Sequence, residues 1–296
     1  MTDAPLTLFD LAPGKTLLGR YEILASHRQG GMSAALRVRD NEEGLEREMQ
    51  VFPAALLENA GQAGEFAEIL TTWQSIDSPA VNRVREVVAG NDGSLYMVTD
   101  LPPGASLRSW LNENGPMEPE RVVRLGLGLL AGLEAIHRRG LVHGDIKPHT
   151  IHLDCAGAGD AMGEECAVLV DGGITPGLWS AKHLGDRTAL IGTPFYAPME
   201  QFGGDSPTVQ SDVYNLATVL FELVTGVLPW KGKSFIEIFQ AKLDKQPPSM
   251  RGRAPQVEVP AELERAIAGG LMGDHRDRYA SADLFRRELA AVAVEL

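Results

Sequence analysis

The segment His143-Gly144-Asp145-Ile146-Lys147-Pro148-His149-Thr150 sets a carboxylate and an ammonium two residues apart, and Asp171-Gly172-Gly173 begins twenty-one residues after Thr150. A positioned carboxylate can take a proton from a hydroxyl or hold a hard divalent cation, and an ammonium can hold a phosphate oxygen. Two more distinctive stretches follow, Gly192-Thr193-Pro194-Phe195-Tyr196-Ala197-Pro198-Met199-Glu200-Gln201 and Ser211-Asp212-Val213-Tyr214-Asn215-Leu216. No His/Cys cluster has zinc spacing. The two cysteines, Cys155 and Cys166, exclude a disulfide scaffold and fit a reducing compartment, where they are expected as buried thiols flanking the hairpin segment Ala156 to Glu165.

The elements that position these residues follow from periodicity and turn chemistry. Residues 1–17 form a leader broken by Pro5, Pro13 and Gly14. From Arg20 to Asp100 the pattern is that of strands: Tyr21–Leu24, Ala34–Arg39, a turn at Asp40–Gly44, and Met49–Phe52 stopped by Pro53. One helix is expected from Phe66 to Trp73, and Gly90-Asn91-Asp92-Gly93 marks a hairpin between Val84–Val88 and Leu95–Thr99. Beyond Pro102-Pro103-Gly104 the chain turns helical. Pro119 opens a helix that runs to Ile136; others are expected at Asp212–Val224, Ser234–Lys242, Ala261–Leu271 and Ser281–Val294, with short strands at Ile151–Leu153 and Ala167–Val170.

In its order of motifs the chain resembles the protein kinase superfamily, in particular bacterial Ser/Thr kinases of the eukaryotic type, over roughly residues 18–296. The resemblance implies an α+β, two-lobed protein kinase fold: a small β-rich N-lobe at 18–100 and a large helical C-lobe at 101–296, after the leader 1–17. It places Asp145 on the catalytic carboxylate, Lys147 on the lysine that steadies the transferred phosphate, and Thr193 on the threonine that buttresses both. Asp171 falls on the magnesium-binding aspartate and Thr150 on the second magnesium ligand, normally an asparagine. Asp212 matches the aspartate that anchors the catalytic-loop backbone, and Glu200 with Arg278 matches an ion pair that braces the C-lobe.

Other positions depart from the family. The glycine-rich loop falls on Arg28-Gln29-Gly30-Gly31-Met32-Ser33, of whose expected glycines only Gly30 remains. Gln50 stands where the phosphate-anchoring lysine belongs, and no lysine at all occurs between Lys15 and Lys147. Only Lys15, Arg37 or Arg47 could substitute, and arginine is not equivalent to lysine in such a site. Glu68, the glutamate that would pair with that lysine, is expected as a solvated helix residue. Glu48 replaces a small alanine at the adenine slot, where an unpaired carboxylate is costly. Thr99 matches the gatekeeper and Asp100 the hinge; Pro102 has no N–H to offer adenine. Gly172 replaces the phenylalanine after the metal aspartate. Gly144 replaces an arginine that reads a loop phosphate, so phosphorylation of Thr188 would lack its usual partner.

These departures argue for a pseudokinase, a regulatory or scaffolding module that binds a protein partner and needs no cofactor. The alternative is an active atypical Ser/Thr kinase using ATP and Mg²⁺ through Asp145, Lys147 and Asp171. Composition bounds both. With 27 Lys+Arg against 40 Asp+Glu over 296 residues, the net charge is −13, which argues against a general phosphate-backbone binder while leaving room for a local basic patch, and no nucleic-acid partner is expected. The start Met1–Pro5 lacks the pattern of a signal peptide. The longest apolar stretch, Leu125 to Ile136, carries Glu134 and is too short for a membrane span. A cytoplasmic protein is expected.

Overall fold

Apolar residues alternate along Ala34–Asp40 and Glu46–Phe52, and the polar turn between them lets the two segments pair antiparallel. The computed structural model describes residues 11–29, 33–57, 59–154, 166–182, 194–244 and 246–295. They divide into two units.

The first unit takes its described residues from Met1–Asp77, Asn82–Pro102 and Gly177–His183. Its strands are β1 (Thr16–Leu17), β2 (Tyr21–Gln29), β3 (Ala34–Asp40), β4 (Glu46–Phe52), β5 (Val84–Ala89) and β6 (Leu95–Asp100), in the order β1-β2-β3-β4-β6-β5. Ile23, Leu36, Val38, Met49, Val51 and Val98 fill one apolar cluster. Successive side chains on a strand point to opposite faces, so Glu48, Gln50 and Phe52 share the other face of β4. There Phe52 meets Phe66 of helix α1 (Ala60–Thr72) edge to face at 5.0 Å. Helix α1 starts at Ala60 and not at Phe66, because Asn59 caps it by accepting from the Gln62 N–H. Its first turns hold small residues that give no apolar signal. Glu68 is exposed on α1, as expected. Strand β2 carries a bulge between Ser26 and Arg28, which leaves His27 as the extra residue.

The second unit takes its described residues from Ser78–Val81, Pro103–Pro176 and Leu184–Leu296. Its centre is helix α6 (Val209–Thr225), buried at every position from Ser211 to Thr225, the expected place for a helix apolar on nearly all sides. Thr208 caps α6 in a reciprocal box with Ser211, and Gly226 ends it at φ 72°. Asp212 therefore lies inside the helix and does not open it, a correction to the boundary expected from sequence. Helix α3 (Pro119–His137), with Pro119 in its first turn, packs on α6 and on α10 (Ala282–Glu295). The packing is close: a Cβ on Gly126 would come within 2.7 Å of Leu289 and 3.2 Å of Leu220. Helices α2 (Leu107–Asn114), α5 (Met199–Phe202), α7 (Phe235–Lys242), α8 (Met250–Arg253) and α9 (Ala261–Gly270) also belong to this unit, and α4 (Ile174–Ala181) is divided between the two units after Pro176.

A small sheet, β7 (Ala105–Ser106), β8 (Ile151–Asp154) and β9 (Cys166–Leu169), borders the loop of interest. Cys166 is exposed at the start of β9, which corrects the expectation of a buried thiol; Cys155 lies outside the described residues. Among the described residues no helix is long and apolar enough to cross a membrane.

Candidate functional site

In the second unit, residues 138–150 have no strand or long helix to receive their polar groups, and one buried carboxylate takes over that task. Asp212 is fully buried on α6 and accepts from the backbone N–H of His143 and of Gly144, both at 2.8 Å, and from His137 Nε2 at 2.9 Å. Two backbone donors that water cannot reach are thereby satisfied. His143 is buried as well, and burial pushes its pKa down, so the ring is neutral. Its Nε2 donates to the Val170 carbonyl at 3.0 Å, which puts the proton on Nε2 and ties the loop to the segment leading into Asp171. Gly144 sits at φ 81°, and a Cβ there would come within 2.6 Å of the Pro176 ring. An arginine at this position would be strained by the local backbone and would press on that ring.

On this frame Lys147 Nζ donates to Asp145 Oδ2 at 2.6 Å, with both side chains about one fifth exposed. The Thr150 hydroxyl closes the loop: it donates to the Asp145 carbonyl (2.8 Å) and approaches that of Lys147 (3.1 Å), and it accepts from the Lys147 N–H. Asp171 lies in the left-handed region at φ 64°, a conformation costing a non-glycine residue roughly 1–2 kcal/mol. The structure thus brings Asp145, Lys147 and Thr150 together. The Thr150 oxygen, the expected second magnesium ligand, is engaged by the loop itself. Thr193 lies outside the described residues.

In the first unit the polar residues expected near a nucleotide are bonded to one another. Glu48, 1% exposed, accepts from His27 Nδ1 at 2.5 Å, so the carboxylate that sequence leaves unpaired has a partner. The β2 bulge aims that histidine. Gln50, 3% exposed, accepts through Oε1 from Ser33 Oγ at 2.9 Å. Thr99, the register partner of Glu48, donates to the Asp100 carbonyl at 3.0 Å, and Asn82 Nδ2 donates to the same oxygen at 3.0 Å. Both lone pairs of that carbonyl are in use. The Asp100 carboxylate is held by Arg47 at 2.5 Å and by both guanidinium arms of Arg85 at 2.7 and 2.8 Å. Pro102 is buried and offers no N–H. Gly30 lies outside the described residues.

The candidate substitutes for the missing cation are engaged too. Arg47 also binds Glu43 at 2.6 Å, and strand alternation puts it on the face opposite Gln50. Arg37 pairs with Glu46 through Nε at 2.6 Å.

Several paired residues escaped the sequence reading. His27 has no neighbour in the sequence that announces Glu48. Arg108 on α2 donates to the Tyr196 hydroxyl (2.6 Å) and to Glu222 (2.9 Å), and Tyr196 donates to Glu222 (2.6 Å). Lys242 and Asn215 bond the backbone of residues 194–197. All these pairs are remote in sequence, and no local spacing encodes them. The expected Glu200–Arg278 ion pair is present at 2.7 Å, with the Arg278 side chain fully buried.

Comparison with known proteins matches residues 29–288 to the family described as protein kinase domain. Over 284 residues the chain is 32% identical to the serine/threonine-protein kinase PknL of Mycobacterium tuberculosis, covering 94% of this chain and 66% of the relative. It is 27% identical over 270 residues to the serine/threonine-protein kinase PrkC of Bacillus subtilis, covering 91% and 40%. The chain therefore spans only part of the length of these relatives. Among solved structures, the kinase domain of Mycobacterium tuberculosis PknI, a double mutant, superposes with a TM-score of 0.71 at 19% identity, covering 96% of this chain and 99% of that one. At that identity the likeness shows a common two-lobed fold.

Proposed function

As the chain belongs to the protein kinase family, with bacterial serine/threonine kinases among its relatives, we propose that it acts as a pseudokinase: a regulatory or scaffolding module that binds a protein partner and lacks a working nucleotide site. The observation that carries this reading is the polar face of β4. Where a triphosphate needs a cation, Gln50 is bonded to Ser33, and the next residue on that face is the buried carboxylate Glu48. A buried carboxylate in the slot where an apolar adenine ring would lie is unfavourable to that ring. Arg37 and Arg47 are engaged by Glu46, Glu43 and Asp100. On this reading the β4 face offers a triphosphate no cation.

The second reading, an atypical active kinase, draws support from the Asp145–Lys147 pair and from relatives named as kinases. Calorimetric titration of the whole chain with ATP, with and without Mg²⁺, separates the two. No heat of binding in the micromolar range is the expected result. Micromolar MgATP binding would overturn the pseudokinase reading in favour of the enzyme.

A further inference from the structure

Residues Pro194 to Ala197 belong to neither strand nor helix, yet side chains capture all four of their carbonyls. Lys242 Nζ donates to the carbonyls of Pro194 at 3.1 Å, Phe195 at 3.2 Å and Ala197 at 2.5 Å. Asn215 Nδ2 donates to that of Tyr196 at 2.8 Å. An ammonium has three hydrogens and no acceptor, and here three carbonyls surround it.

The surroundings make Lys242 an unusual lysine. It ends helix α7 with 2% of its surface exposed. Its Nζ lies 5.5 Å from the Phe202 ring centre and 5.2 Å from that of Tyr214, whose hydroxyl accepts from Trp230. The charged groups that face it are Glu200 on α5 and Arg278 before α10. These two are paired with each other at 2.7 Å, so the nearby carboxylate is already neutralised. A lysine that only filled space could be replaced by a leucine or methionine without leaving buried carbonyls bare. This one is matched atom for atom to a turn.

We propose that Lys242 is a positioning residue for the Pro194–Ala197 turn, and that the turn keeps its shape only while Lys242 carries its proton. Burial, with a smaller push from Arg278 against the pull of Glu200, lowers the Lys242 pKa to about 7. The neutral amine has one hydrogen fewer and no charge, so it cannot serve three carbonyls, and the turn loosens as pH rises through neutrality. The inference goes beyond the pseudokinase reading and holds equally for an active kinase.

Hydrogen exchange of the whole chain, read on peptides covering 194–202 and corrected for the intrinsic pH dependence of exchange, tests it. If exchange runs through the deprotonated form, that form's share for a group titrating near 7 rises roughly tenfold between about pH 6 and about pH 8.5, and protection of these peptides is expected to fall by about that factor. Peptides from α3 serve as the internal reference and should keep their protection. Lys242→Met should leave 194–202 poorly protected at both pH values. Constant wild-type protection across the range would overturn the proposal, and so would wild-type protection in a folded Lys242→Met. The wild-type profile decides even if that variant fails to fold. MgATP binding, which tests the pseudokinase reading, is untouched by either outcome.

Discussion

Two polar regions of this molecule solve opposite problems. Around Asp212 the side chains serve the backbone: one carboxylate holds two loop N–H groups and a histidine, and Thr150 closes the loop on Asp145 and Lys147. On the face of β4 that carries Glu48 and Gln50 the side chains serve each other: His27 with Glu48, Ser33 with Gln50. A strand needs no particular side chain to keep its ladder, so a cation there can be lost and its neighbours re-paired at little cost to the sheet. A loop with buried backbone donors has no such freedom. An intact catalytic-type loop therefore reports on folding, and the β4 face is where nucleotide binding is to be tested.

The largest expected effect breaks the first region. Asp212→Ala orphans the N–H groups of His143 and Gly144, at roughly 1–3 kcal/mol each. Against a total stability of roughly 5–15 kcal/mol, thermal unfolding should move down by many degrees, if the variant folds at all. Asp212→Asn, which retains one acceptor oxygen, should recover part of the loss. Melting of Asp212→Ala within a degree or so of wild type would show that the loop is braced by something else. Gly144→Arg comes next. It restores the residue the family carries there, yet it forces a side chain into φ 81° at roughly 1–2 kcal/mol and against the Pro176 ring. A drop in melting temperature is expected; an unchanged one would mean that the loop yields easily.

How far the sequence foretold this depends on the range of each interaction. Asp145, Lys147, Thr150 and Asp212 were legible because ordered motifs carry them, and the helices because apolar residues recur at helical spacing. Helix α6 was placed too late, since its cap, Thr208, and first turn are polar and weakly periodic. Helix α1 was placed too late for the same reason. Glu48 was recognised as out of place, but its partner was not, because a bulge in a neighbouring strand aims His27 and no residue spacing announces a bulge. Lys242 only ends the helix expected at Ser234–Lys242. Only the fold brings it under residues 194–197, forty-five to forty-eight positions away.

The smallest expected effect is also the sharpest test of the second region. Gln50→Lys restores the one cation that the family places on β4, and a single lesion should be cured by a single repair. The β4 face, however, already holds Glu48 two residues away on the same side, buried and 2.5 Å from His27. In a low-dielectric setting an introduced ammonium is drawn to that carboxylate. It would compete with His27 and leave no net positive charge for a phosphate. The Asp100 carbonyl stays engaged by Thr99 and Asn82, and Pro102 still lacks an N–H. A ligand present at a hundred times its dissociation constant stabilises the folded state by about 2.7 kcal/mol, which moves a melting curve by several degrees. Millimolar MgATP should move neither wild type nor Gln50→Lys by that much. A clear shift in Gln50→Lys alone would mean that the missing lysine was the whole defect, and that Glu48, His27 and the hinge pairs are compatible with a bound nucleotide. The contrast between a braced loop and a closed-off strand face would then reduce to one residue.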